Sequence, residues 1–320
     1  MTRLLLLAAA LLFQALAHAQ GYPNKPIRMV VPWPPGQATD LVGRLMAQKM
    51  SELLGQPIVV DNRAGAGGTI GTDNAAKSPP DGYTILAGSS GPATVSPLLQ
   101  KVPYDVEKDL IPVRLVGVSP YLLVTYPSFP ANNAKEFIAL LRANPGKYTF
   151  SSSGTGATAH LICEWFNSLA QVKTVHVPYK GSAQSLTDVM SGQISYSMET
   201  LAGTGPHVRG GKLKTFGISF EKGSSLAPGV PALAQAASMP GFDVGAWLGL
   251  MVPAGTPKEI VSRLAAEADK ALQASDTRDK LALIGLEIIS RGPEEFAAYL
   301  KGETARFASI IKNGNIKLEQ

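Results

Sequence analysis

Residues 27–60, IRMVVPWPPGQATDLVGRLMAQKMSELLGQPIVV, carry the pattern that decides the fold. Ile27–Val31 is a short, mainly apolar run, as expected of a buried strand. Residues 32–40 form a loop stiffened by prolines, in which Gly36 permits an unusual backbone angle and Thr39 or Asp40 can cap a helix. Leu41, Leu45, Met46 and Met50, with Leu53 or Leu54, then recur at helical spacing over 41–54. A second apolar run follows at 58–60. Strand, helix and strand in this rhythm predict a right-handed βαβ unit and a mostly parallel sheet.

The rhythm continues outward in both directions. A strand is expected at 83–87, and the alternation restarts after Pro120. Strands are expected at 122–125, 149–151, 175–177, 194–198 and 215–218, with helices at 137–141, 157–169 and Ser182–Met190 between them. Residues 247–252 read as one more strand. Two long amphipathic helices close the chain, one presenting Ile260, Val261, Leu264, Ala268 and Leu272, the other Phe296, Leu300, Phe307 and Ile311. Extended crossovers are expected near 116–125 and 241–250. The fold class is α/β, with two domains around a cleft: 20–119 together with 246–320, and 120–245. A chain of 320 residues is long for one core, which favours this division.

Residues 1–20, MTRLLLLAAALLFQALAHAQ, have the layout of a secretory signal peptide. Arg3 begins it, residues 4–13 are apolar, and Ala17-His18-Ala19 is a small-x-small cleavage site, giving a signal peptide over 1–19. The apolar run is about half the roughly twenty residues that a spanning helix needs. The expected location is the periplasm, without cytosolic ATP or NAD(P)H. Cys163 is the one cysteine, so no internal disulfide forms; it lies among Leu161, Ile162, Trp165 and Phe166 and reads as a small buried hydrophobe. Lys and Arg number 29 against 24 acidic residues and are dispersed, without the clustered footprint of a nucleic-acid binder.

Four loops that follow expected strands carry the chemistry: 32–40, 63–71, 88–91 and 151–160. Each exposes backbone N–H groups near a helix start, which attracts carboxylate or phosphate through unsatisfied donors and the helix dipole. The dipole contributes only about 0.3–1 kcal/mol, up to ~2 when partly buried, so several donors must converge. The candidate ligand-binding residues are Trp33, Pro35, Gly36, Gln37, Ala38 and Thr39 in the first loop and Ser89 and Ser90 in the third. The fourth contributes Ser153, Gly154, Thr155, Gly156, Ala157 and Thr158. His160 braces the fourth loop or touches ligand; Trp33 and Tyr179 pack or form pocket walls. Glu199 is a capping acid or a hydrogen-bond acceptor for the far end of a ligand.

Gly154-x-Gly156-x-x-Ala159 fits the dinucleotide pattern, but residues 171–181 (QVKTVHVPYKG) lack the acid that would hold a ribose. No G-x-S-x-G elbow, Walker loop or H-x-x-x-H pair occurs, and no cofactor or metal is expected. An exported hydrolase or isomerase would have to use His160 and Glu199 as acid and base on one substrate atom.

At these loops the chain resembles a known family. The resemblance is carried by Tyr22-Pro23 with Pro26-Ile27, by 31–36 (VPWPPG), 61–68 (DNRAGAGG), 80–83 (PDGY), 153–156 (SGTG) with His160-Leu161, 175–181 (VHVPYKG) and 253–257 (PAGTP). The chain resembles a Bug-type solute-binding receptor of the tripartite tricarboxylate transporter system over essentially its whole mature length. The resemblance implies a type II periplasmic binding protein fold, closing over a small organic carboxylate for delivery to a membrane permease, in which backbone N–H groups of 35–39 and 153–158 and ordered waters hold one carboxylate without an arginine clamp. A monomer is expected, and a receptor that presents its liganded form to a membrane signalling partner is the alternative. Gln37 stands where the family commonly has a second glycine, and Glu199-Thr200 where it often has Asp-Asn.

Overall fold

The computed structural model describes residues 21–316. The expected signal peptide at 1–19 lies outside them. The strands are β1 Ile27–Val31, β2 Ile58–Asn62, β3 Thr84–Ser89, β4 Leu110–Thr125, β5 Thr149–Ser152, β6 Val175–Pro178, β7 Tyr196–Thr200, β8 Lys214–Ile218, β9 Gly245–Pro253 and β10 Glu287–Arg291. The helices are α1 Ala38–Leu54, α2 Thr69–Ala76, α3 Ser96–Leu99, α4 Val106–Asp109, α5 Ala134–Ala143, α6 Thr158–Ala170, α7 Ser182–Met190, α8 Leu201–Arg209, α9 Leu233–Ala236, α10 Lys258–Gln273, α11 Ser275–Leu283 and α12 Pro293–Asn313. None of the helices is long and apolar enough to cross a membrane.

One sheet runs in the order β2-β1-β3-β9-β4-β7-β5-β6, with β8 and β10 also pairing with β4. The outer βαβ units are parallel, as the 27–60 pattern requires: β1 pairs in parallel with β2 and β3, and β5 with β6 and β7. The middle differs from the mostly parallel sheet expected. β4 and β9 run antiparallel to every neighbour, because the chain crosses between the βαβ regions through extended strands and not through helices.

β4 changes partners along its length. Leu110 to Pro120 pair with β9, ending at Pro120↔Gly245, and Tyr121 to Thr125 pair with β7, beginning at Tyr121↔Thr200. Its first residues, 110–115, fall outside both the strand expected at 122–125 and the extended crossover expected near 116–125. Pro112 cannot donate to a ladder and reads as a breaker; here the strand accommodates it with a register shift between Pro112 and Arg114. β7 also starts later than expected, since the Ile194 N–H bonds back to Asp188 O at the end of α7. Glu199 therefore lies inside β7, paired with Leu122.

Local chemistry fixes the helix ends. Gly55, at φ 68°, closes α1 with its N–H on Ser51 O, a conformation that a side chain would strain. Asn133 caps α5 by accepting from the Glu136 N–H. Met29, Val31, Met46, Met50, Ile85 and Leu264 pack one hydrophobic cluster around β1–β3, α1 and α10. Phe137, Phe150, Cys163, Phe166 and Met198 pack another around β5, β7, α5 and α6. Each such large side chain contributes about 1.5–3 kcal/mol on burial.

Candidate functional site

Where β4 exchanges β9 for β7, several helices begin side by side. α1 starts at Ala38, α6 at Thr158 and α8 at Leu201, each directly after a strand or its loop. Trp33, Gln37, Ala38, Thr39, Ser89, Ser90, Ser153, Thr158, Ala159, Glu199 and Thr200 line one cavity there, with Gly91, Tyr121, Ala246 and Leu248 completing the wall. It encloses about 30 Å³, room for about two waters. Larger cavities of about 760 and 580 Å³ lie elsewhere, but exposed and half-buried side chains make up most of their walls.

Three glycine N–H groups of the first and fourth candidate loops are already used. Gly36 N–H donates to Asp40 Oδ2 at 2.9 Å, Gly154 N–H to Ser152 Oγ at 3.2 Å, and Gly156 N–H to His160 Nδ1 at 3.3 Å. Helix geometry leaves the next groups along the chain without intrahelical acceptors: the N–H groups of Ala38 and Thr39 in α1, and of Thr158 and Ala159 in α6. These four residues line the cavity. In these two loops the helix starts, and not Gly36, Gly154 or Gly156, supply the available donors.

A rigid frame holds the first loop. Asp40 is 1% exposed and accepts from Gly36 N–H, Arg44 Nε and Asn62 Nδ2. Burial raises its pKa, yet these hydrogen bonds outweigh burial and hold the carboxyl below its ordinary range. Asn62 also donates to Trp33 O at 2.9 Å, so one amide ties β2 to the loop. Trp33 is buried and donates from Nε1 to Ser89 Oγ at 2.9 Å, fixing the ring as a cavity wall. Arg63 turns away to Asp61.

The fourth loop is braced from behind. His160, 3% exposed, stacks on His176 with ring centroids 3.8 Å apart. His176 Nε2 lies 2.7 Å from Ser152 Oγ, and Phe150 stacks against His176 at 4.8 Å. Burial, and then the His176 charge, lowers the pKa of His160 to about 3; burial lowers that of His176 to about 4. Both rings are neutral at neutral pH. His160 is absent from the cavity wall that Glu199 joins, so the structure does not bring this acid–base pair to one point.

Glu199 is 2% exposed. Its Oε2 accepts from Ser182 Oγ, at the start of α7, over 3.1 Å. Its buried Oε1 has no hydrogen-bond partner among the described residues. Burial pushes its pKa up to about 7, against the favourable Ser182, Thr200 and Ser153 groups. Tyr121 neighbours it, and its phenol is pushed up by burial first and by the Glu199 charge second.

The other candidates sit apart. Pro35 and Gly36 are exposed. Gly154, Thr155 and Tyr179 line a neighbouring cavity of about 360 Å³ with Gly67 and Lys180. Tyr179 donates its hydroxyl to Asp188. Gly156 and Ala157 are buried behind the loop. Sequence reasoning missed Tyr121, Ala246 and Leu248, which reach the cavity from the crossover strands; no motif marks them, and only the strand pairing places them. It also missed Gly91, Ala159 and Thr200, each adjacent in sequence to a residue or loop already singled out. Among the described residues no cluster of His, Cys, Asp and Glu could hold a metal.

Three comparisons bear on this geometry. Residues 42–316 match the family described as "Tripartite tricarboxylate transporter family receptor". Protein BugT of Bordetella pertussis is 36% identical over 307 residues, covering 95% of this chain and 94% of that one. Among solved structures, one described as a periplasmic transporter superposes with a TM-score of 0.90 at 38% identity, over 93% of this chain and all of its own. R. palustris Rpa4515 with adipate superposes with a TM-score of 0.90 at 31% identity, over 93% of this chain and 99% of its own.

Proposed function

This chain belongs to the tripartite tricarboxylate transporter receptor family, and on that premise we propose that it is a periplasmic receptor that captures a small organic carboxylate at the 30 Å³ cavity and delivers it to a membrane permease. The observation that carries this reading is that first-turn residues of α1 and α6, whose N–H groups lack intrahelical acceptors, line one buried cavity of mixed polar and apolar wall with no Lys, Arg or His in it. A carboxylate there is neutralised by main-chain donors and two helix dipoles. The adipate complex of a 31% identical structure supports the ligand class.

The cavity forms between two lobes, 20–119 with 246–320 and 120–245, that close on the ligand. The exchange of β4 partners at Pro120–Tyr121 supports this division, while Phe307 and Ile310 in α12 and Ile316 just beyond it pack with the cluster of Phe137, Phe150 and Phe166 and tie the two lobes together. In the closed arrangement Ser90 meets Thr158 and Gly67 meets Gly154. The space between them is too small for an organic acid, so binding requires the lobes to part. The ligand-binding set is Trp33, Gln37, Ala38, Thr39, Ser89, Ser90, Ser153, Thr158 and Glu199, in a monomer that binds without bond cleavage.

Isothermal titration calorimetry against mono- and dicarboxylates, with the ligand recovered afterwards for NMR, tests the reading. Saturable binding of an acid that is returned unchanged is the expected result. Conversion of the ligand, or binding of none of the acids, would overturn it.

A further inference from the structure

α12 does not stay with one of the proposed lobes. Its first half, through Phe296 and Leu300, packs with Val30, Leu86, Leu115 and Trp247 of β1, β3, β4 and β9. The Phe296 and Trp247 rings meet edge to face with centroids 5.4 Å apart. Its second half belongs to the other lobe. Phe307 and Ile310, with Ile316 beyond the helix, pack with Phe137, Phe150 and Phe166. Arg306 Nη1 donates to Asp243 O at 2.8 Å, and Ser168 Oγ to Gly314 O at 3.2 Å. α12 is thus a third link between the lobes, beside the crossover strands β4 and β9. Lobes that part must move it or bend it.

The weak turn of the helix lies between these two anchorages. Gly302 is exposed, and a Cβ built on it meets no atom within 4 Å. Crowding therefore does not require a glycine there, and neither does its right-handed helical backbone. Glycine inside a helix is disfavoured relative to alanine, because its backbone has more freedom to lose. Two residues on, Thr304 Oγ1 donates to Leu300 O at 2.9 Å. Such a back-bond competes with the helix ladder and bends helices. Resting on the two-lobe reading above, we propose that α12 is a flexible strap that bends at Gly302–Thr304 when the lobes part. The last turns then ride with lobe 120–245. Withdrawing Phe307 and Ile310 from their cluster would expose apolar surface at each opening, whereas a bend gives up only the few helix hydrogen bonds that cross Gly302.

Amide hydrogen exchange of the ligand-free protein, read by NMR, tests the strap. The N–H groups of 303–306 bond back across Gly302 to the carbonyls of 299–302. After correction for intrinsic rates they are expected to exchange about fivefold or more faster than those of 307–310, although the latter lie nearer the helix end. Gly302→Ala is expected to slow exchange at 303–306 about fourfold. Ser309→Ala, a gain in helix propensity at an exposed position past the bend, should leave it unchanged. Locking the lobes with a disulfide between Ser90→Cys and Thr158→Cys, whose native hydroxyls lie 2.9 Å apart, is expected to bring 303–306 down to the rate of 307–310, and reduction to restore it. The wild-type profile decides even where the lock does not form. Protection that falls steadily from 303 towards 313, or fast exchange at 303–306 that the lock leaves unchanged, overturns the strap. Neither result touches the receptor reading, which stands or falls on ligand binding.

Discussion

Ser90 Oγ and Thr158 Oγ1 lie 2.9 Å apart and buried, joining the turn after β3 to the first residue of α6. The bond spans 68 residues of sequence and sits on the wall of the candidate site. On the proposed two-lobe reading it is both a fastener of the closed form and part of the lining of the candidate site. Thr158→Val keeps the shape and removes the hydroxyl, leaving Ser90 without this partner. Loss of a buried hydrogen bond of this kind costs about 1–3 kcal/mol. The expected outcome is a lower denaturation midpoint with an unchanged slope, and weaker ligand binding by calorimetry.

Gly154 packs against Gly67 beside the candidate site, at a contact between the two proposed lobes. It adopts φ +137°, and a Cβ there would stand 3.3 Å from both Gly67 N and Tyr179 O. Gly154→Val adds strain and bulk at this contact, so it should hold the lobes apart and weaken ligand binding about tenfold or more. Gly67→Ala should do the same from the opposite side, since its Cβ would meet Thr155 O at 2.9 Å. Calorimetry on both variants, with circular dichroism to confirm folding, provides the check.

Glu199 makes stability depend on pH in a definite direction. Its pKa rises from an ordinary 4.5 to about 7 on folding. Between those values the native protein holds a proton that the unfolded chain releases, so this contribution to stability falls as pH rises and is flat above about 7. The neutral His160 and His176, lowered from 6.5 to about 3 and 4, act in the opposite sense and add stability as pH rises towards 6.5. The difference in unfolding free energy between wild type and Glu199→Gln isolates the carboxylate. It should shift against the wild type by a few kcal/mol, roughly 3 at most, from pH 4.5 to 7.

Cys163 is fully buried among Phe137, Phe166 and Met198, away from the cavity wall. Cys163→Ala should destabilise the fold by roughly 1 kcal/mol through the small void it leaves, with no change in ligand affinity. Paired denaturation and calorimetry curves test the separation.

The strand and helix pattern is legible wherever apolar periodicity is local. Ile27–Val31 and Ser182–Met190 have the bounds expected of them, and the helix expected at 41–54 begins three residues earlier, at Ala38. The first residues of β4, 110–115, are illegible because Pro112 interrupts them and only their partners hold them extended. The candidate loops are visible as Pro, Gly and Ser clusters before helices, and Trp33, Gln37, Thr39, Ser90, Thr158 and Glu199 fall on one cavity wall. Which donors remain available cannot be read locally. Gly36 and Gly156 lose theirs to side chains four residues on, Asp40 and His160. The role of Asn62 as a tie to Trp33 O depends on strand pairing across 29 residues.

A crystal structure with a bound monocarboxylate decides where the ligand's charge rests. Both carboxylate oxygens are expected within about 3 Å of N–H groups of Ala38, Thr39, Thr158 or Ala159, directly or through one water. A carboxylate paired instead with a side-chain cation such as Arg44 or Lys180, with those N–H groups facing elsewhere, would contradict it.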